Sequence, residues 1–316
     1  MMLQLRMYLL LGIMFAIVYA LIVVILPPAD FLTYGILASG MMFIQYMIGP
    51  KMVELSMRVK YVSEEEAPEL HQMVEELARA ANIPKPKVGI SPVQLPNAFA
   101  FGRSISDGRV CVTEGILGLL SKDELRAVLG HEISHLKNRD VTIITMLSVI
   151  PTICWYIAWS TMWGGYGRDR RGSQAYIGIV AFILYFLTNL LVLYGSRIRE
   201  YFADRGSVML GNPPHHLATA LYKLVYGSAK TPRESLKQME GYKAFFLNDP
   251  SRARQEIAEL SQLDLDLSGT IDKDELEMIR RGRISLSTTD RLIELLSTHP
   301  NMLKRIKYLS ELQSTS

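Results

Sequence analysis

Ser121-Lys122-Asp123-Glu124-Leu125-Arg126-Ala127-Val128-Leu129-Gly130-His131-Glu132-Ile133-Ser134-His135 is the stretch on which the reading of the chain turns. Leu125, Leu129, Ile133 and Leu136 recur at helical spacing and predict one buried stripe. Ser121 followed by Glu124 is a capping-box signature, so the helix is expected to open there. His131 and His135 are four residues apart and share a face, roughly 120° from the centre of the stripe. Glu132 lies about 100° round the helix, at the edge of the same cleft. Two imidazoles on one face with a carboxylate beside them are half of a catalytic zinc site, in which the carboxylate is the general base for a water activated by the cation.

Asn138 and Val141 stand where a glycine and a third histidine would follow closely, so the third ligand must come from elsewhere in the chain. Arg199-Glu200-Tyr201-Phe202-Ala203-Asp204 puts Glu200 and Asp204 on one helical face, where two carboxylates repel each other unless a positive charge compensates. Zinc and its histidine would do so. Glu200 is read as the third zinc ligand, and Asp204 as the acceptor of the free ring N–H of His131, which fixes its tautomer. A solvated acidic pair at a helix end is the competing reading.

These paired motifs, each beside a hydrophobic span, resemble those of the HtpX-type membrane zinc metallopeptidases, gluzincin relatives of the CAAX prenyl endopeptidases. The likeness takes in Pro96-Asn97-Ala98-Phe99-Ala100 and Ser297-Thr298-His299-Pro300 with Arg305. It implies a zinc endopeptidase that cleaves misfolded or membrane-associated proteins, in quality control or a stress response. It also implies that Asn97, Ala98, Phe99 and Ala100 form the substrate's edge strand, and that His299 and Arg305 join Glu132 in catalysis by holding the substrate or the tetrahedral oxyanion. From the residues alone, Phe99 and Phe101 fit a core strand equally well.

The chain has 316 residues, 49% hydrophobic and 21% charged, so its apolar residues must be segregated. A net charge of +3, without basic runs interleaved with aromatics, argues against nucleic acid. Cys111 and Cys154 fall in a predicted strand and a predicted membrane span, poor places for a bridge.

Four apolar stretches, 7–26, 31–48, 141–162 and 175–194, approach the length that crosses a bilayer. The expected fold is a mainly α integral membrane protein, with four transmembrane helices and a cytoplasmic zincin-like α+β catalytic domain. Lys51, Arg58 and Lys60, with Arg197, Arg199 and Arg205, put the catalytic part on the cytoplasmic side of the plasma (inner) membrane, against Arg168, Arg170 and Arg171 in the opposite loop. The boundaries are a transmembrane hairpin at 1–50, the first catalytic part at 51–140, a second hairpin at 141–195 and the second catalytic part at 196–250. The zinc helix is expected to run on into the third span. His135 lies about six residues before that span and Glu200 about six after the fourth, so both are expected roughly 10 Å above the bilayer edge. The partners so implied are protein or peptide substrates and the lipid bilayer.

Asp264-Leu265-Asp266-Leu267-Ser268-Gly269-Thr270-Ile271-Asp272-Lys273-Asp274-Glu275 matches a twelve-position EF-hand calcium loop. Asp264, Asp266, Ser268, the Thr270 carbonyl and Glu275 take the ligand positions, with Gly269 at the sharp turn. An acidic turn between surface helices is the plainer account. The stretch is read as an EF-hand-like helical insertion at 251–290 before a last catalytic segment at 291–316. Such loops usually come in pairs, which leaves room for a homo-oligomer. The expected cofactors are one Zn²⁺ per chain and Ca²⁺ at this loop. A reading from another class is a calcium-responsive membrane adaptor with a structural or vestigial zinc site, which would need a fourth protein ligand such as His299, His71 or His216.

Overall fold

The structure, a computed structural model, describes residues 28–163, 171–230, 257, 260, 263–266, 268–282 and 294–313. In chain order these form α1 (Pro28–Ser56), β1 (Lys60–Tyr61), α2 (Pro68–Ala81), β2 (Lys87–Ser91), β3 (Ala98–Phe101), β4 (Arg109–Thr113) and α3 (Glu114–Leu117). There follow α4 (Lys122–Lys137), α5 (Asp140–Trp163), α6 (Arg171–Met209), α7 (Pro214–Lys230), α8 (Lys273–Arg281) and α9 (Met302–Leu312). Two units result, one of residues 1–48 and 142–198, the other of 49–141 and 199–316.

In the first unit, Cys154, Ile157 and Ala158 of α5 are buried with Ala181 of α6, and Tyr185 and Leu184 pack beside them. Tyr176–Met209 is the one segment among the described residues that is both long and apolar enough to cross a membrane. The second, third and fourth expected spans fall on α1, α5 and α6. The first, at 7–26, lies outside the described residues. Both cysteines are free.

The second unit is built on a four-stranded sheet in the order β1-β2-β4-β3. β2 and β4 run parallel, whereas β1 and β3 are antiparallel to their neighbours. Side chains on a strand alternate between faces, and here the alternation divides two cores. Ala98, Val110 and Val112 face the large cluster formed with α2, α4, α7, α8 and α9. Phe99, Phe101 and Cys111 face the other way, against Val53 and Met57 at the foot of α1 and Leu95. The phenylalanines are therefore core residues carried by an edge strand.

β1 is only two residues long, because α1 continues to Ser56 and Arg58 then adopts a left-handed φ of 49°. One local expectation is corrected. The zinc helix does not run on into the third span. It ends at Asn138, and Arg139 at φ 56° reverses the chain before α5 begins at Asp140.

The segment expected as an insertion is also not set apart. Ile271, Leu276 and Ile279 are buried in the same cluster as the zinc helix. Thr219 Oγ1 of α7 donates to the Ile271 carbonyl at 2.8 Å and accepts from its N–H at 3.0 Å. In the loop, Gly269 has φ 78° and Asp264 accepts from the N–H groups of Ser268 and Gly269.

Candidate active site

The helix that carries the histidines starts as its sequence requires. Ser121 Oγ accepts from the Glu124 N–H at 3.4 Å and the Glu124 carboxylate accepts from the Ser121 N–H at 3.0 Å, a closed capping box. Such a cap contributes about 1 kcal/mol and fixes the helical phase from its first turn. Leu125, Leu129, Ile133 and Leu136 enter the core, which leaves the other side of α4 to meet α6.

That meeting depends on small residues. A Cβ on Gly206 of α6 would lie 1.9 Å from Ser134 Oγ and 2.6 Å from Ser134 Cβ. A Cβ on Gly130 of α4 would lie 2.3 Å from Asn212 Nδ2. Ser207 Oγ donates to the Ala127 carbonyl at 2.6 Å across the same crossing. Glycines at contact positions let the two backbones approach, and the histidines of one helix thereby face the carboxylates of the other.

At the crossing, His131, His135 and Glu200 offer donor atoms that all lie within 4.8 Å of one another. His131 Nε2 and His135 Nε2 are 3.0 Å apart. Glu200 Oε2 is 3.6 Å from the first and Glu200 Oε1 is 3.6 Å from the second. Each ring is pinned on its far side, His131 Nδ1 to Asp204 Oδ1 at 2.9 Å and His135 Nδ1 to Asp140 Oδ2 at 2.5 Å. With both Nδ1 protons directed at carboxylates, the two Nε2 atoms face each other, where they can share one proton or one metal cation. A tetrahedral zinc with bonds of about 2.0–2.2 Å sets its ligand atoms roughly 3.3–3.5 Å apart. The donor types and spacings therefore fit zinc.

The electrostatics agree. Burial opposes charge on His131, but the hydrogen-bonded Asp204 and Glu200 carboxylates outweigh it and lift its pKa to about 9. Burial and the neighbouring His131 push His135 down to about 4. The pair thus holds one positive charge among anions, the place a metal ion would take. Glu132 is raised by burial, offset in part by both histidines, and it accepts a hydrogen bond from the Ala100 backbone N–H. Burial thus raises the proton affinity of this carboxylate above that of an ordinary glutamate.

β3 is an edge strand, bonded among the described residues only to β4. The Thr113 N–H donates to the Asn97 carbonyl at 2.9 Å. Because antiparallel bonding alternates, Phe99 and Phe101 also turn their backbone groups toward β4, whereas Ala98 and Ala100 turn theirs outward. The outward Ala100 N–H is the one that Glu132 accepts.

The two C-terminal residues are placed differently from each other. His299 is buried with Nδ1 3.5 Å from Glu200 Oε2, but it is not a member of the three-residue group. Arg305 is fully buried, and its Nε and Nη2 bind Asp204 at 3.0 and 2.6 Å while Nη1 lies 3.1 Å from Glu200 Oε2. Two buried carboxylates one helical turn apart require a cation, and a guanidinium fork meets both. Asp140, the partner of His135, was missed, since only the chain reversal at Arg139 brings it back to the ring; an aspartate five residues past the second histidine was the signal. Among the described residues no fourth His, Cys, Asp or Glu joins the cluster, so a closed structural zinc site is not favoured.

Fold and site together define a metallopeptidase with two histidines and a glutamate arranged for one zinc. A family model described as "Peptidase family M48" matches residues 64–313, and the chain belongs to that family. It is 56% identical over 226 residues to a "Protease HtpX homolog" of Methanothermobacter thermautotrophicus, covering 71% of this chain and 86% of the relative. A second such homolog, from Thermoplasma volcanium, is 34% identical over 313 residues, covering 94% and 92%. Among solved structures, the crystal structure of S. mikatae Ste24p aligns with a TM-score of 0.52 at 18% identity, over 95% of this chain and 62% of that one. That likeness concerns the fold alone.

Proposed function

We propose that the protein is a zinc-dependent membrane endopeptidase that cleaves misfolded or membrane-associated proteins at the cytoplasmic membrane surface, in protein quality control. The observation that carries this reading is the convergence of His131, His135 and Glu200 beside a buried Glu132 and an edge strand with an outward-facing backbone. Zinc held by those three residues would polarise a water molecule and the scissile carbonyl. Glu132 takes the proton from the attacking water and passes it to the departing nitrogen. An extended substrate adds to the sheet at Ala98 and Ala100, which fixes its backbone next to Glu132. The buried His299 ring, next to Glu200, is proposed to hold the oxyanion.

Four spans with both ends cytoplasmic are part of the same reading, supported by the helicity of α1, α5 and α6 and by the basic residues that follow α1's apolar part. Inside-out membrane vesicles bearing the protein should degrade an added denatured protein, a chelator should stop this, and zinc should restore it. Sealed right-side-out vesicles should leave the substrate intact. Cleavage that ignores the chelator would overturn the zinc reading, and cleavage by right-side-out vesicles would overturn the orientation.

Calcium at the 264–275 loop is a second, separate proposal, motivated by the Asp264, Asp266 and Glu275 carboxylates lying within 4.8 Å of one another. An unpaired loop of this kind is expected to bind weakly, at about 10⁻⁵ to 10⁻³ M. Calcium titration followed by hydrogen exchange should show added protection across 263–282, absent in Glu275→Gln. If the wild-type protein shows no change with calcium, the loop is a structural turn closed by its own N–H groups.

A further inference from the structure

We propose that Asp140 and Arg199 form a positioning pair for His135, equivalent in task to the pair that Asp204 and Arg305 form for His131. The inference rests on the zinc reading of the site and extends it to residues outside the ligand set. His131 is backed by a carboxylate that a buried arginine grips with two nitrogens. His135 also has a carboxylate on its far side, met by one nitrogen of an arginine. Asp140 Oδ2 lies 2.5 Å from His135 Nδ1, and Arg199 is ion-paired with Asp140 while its Nη2 donates to the Asn138 carbonyl at 3.4 Å. Asp140 and Arg199 are 6% and 5% exposed, as closely enclosed as the ligands themselves.

The backbone supports this assignment. A helix continuing past Asn138 would carry residue 140 away from the His135 ring, since positions five apart do not share a face. The left-handed Arg139 reverses the chain, and Arg199 closes the reversal by bonding to Asn138 on one side of it and Asp140 on the other. Arg199 also directly precedes Glu200, so one turn of α6 supplies both the third ligand and the clamp on the second. A buried ion pair adds little net stability over an apolar filling. Its orientation of the imidazole, with the tautomer that leaves Nε2 free, is the property that an apolar substitute could not supply.

The test uses full-length protein in detergent, with zinc affinity measured by competition with a chromophoric chelator. Folding is checked by circular dichroism, and the ligand field by the visible bands of the cobalt-substituted protein. Asp140→Ala should weaken zinc binding about 10- to 100-fold and shift the cobalt bands. Asp140→Asn, which keeps an acceptor but no charge, should lose less. Arg199→Gln should weaken binding in the same direction and Arg199→Lys should recover part of it. A zinc affinity within twofold of wild type in folded Asp140→Ala would overturn the proposal and leave an ordinary helix-end ion pair. If that variant does not fold, the near-isosteric Asp140→Asn is judged by the same criterion. Wild-type protein that binds no zinc would instead overturn the site itself, whereas loss of zinc in Glu200→Ala with no effect at Asp140 would overturn only this pairing.

Discussion

Glu132→Gln is expected to lower the rate of proteolysis by about 10²- to 10⁴-fold while the protein still carries close to one zinc per chain. The amide has the size of the carboxylate but cannot accept a proton from water or return one to the leaving nitrogen. Glu132 is 4% exposed, and it receives the Ala100 N–H. An amide oxygen can accept that same hydrogen bond, so the edge strand should stay in place. Metal analysis together with initial rates separates the outcomes: near-normal rates with full zinc would remove Glu132 from the chemistry.

Glu200→Ala should lose zinc, and with it all activity. The two histidines alone leave the cation short of one of the three protein ligands that a catalytic site uses. The variant also removes the carboxylate that lies 3.1 Å from the fully buried Arg305 Nη1. Asp204→Ala should behave differently, with zinc binding weakened about 10- to 100-fold while the ligand set stays complete. A zinc content in Glu200→Ala equal to wild type would show that another residue completes the site.

The parts of the site that were legible in the sequence are those fixed by local periodicity. His131, Glu132 and His135 follow from one helix whose cap and stripe can be counted, and Glu200 and Asp204 from another. The sheet edge was legible only through resemblance, because alternation in Asn97 to Phe101 does not tell an edge strand from a central one. Neither the contact of Asp140 with His135 nor that of Arg305 with Asp204 was legible. The first depends on the φ of a single residue, Arg139, and the second on a contact between residues 101 positions apart. Likewise, nothing in the acidic loop at 264–275 announces that Ile271 belongs to the main core, since one isoleucine in a polar turn carries no periodicity.

Arg305 follows His131 by 174 residues. The charge that permits Glu200 and Asp204 to be buried together therefore leaves the ribosome after every other part of the centre. Until α9 docks, two carboxylates would have to stay apart or in water, since an unpaired charge in such a place costs several kcal/mol. The last described helix thus completes the charge balance of a centre whose first histidine lies 174 residues before its Arg305 in the chain.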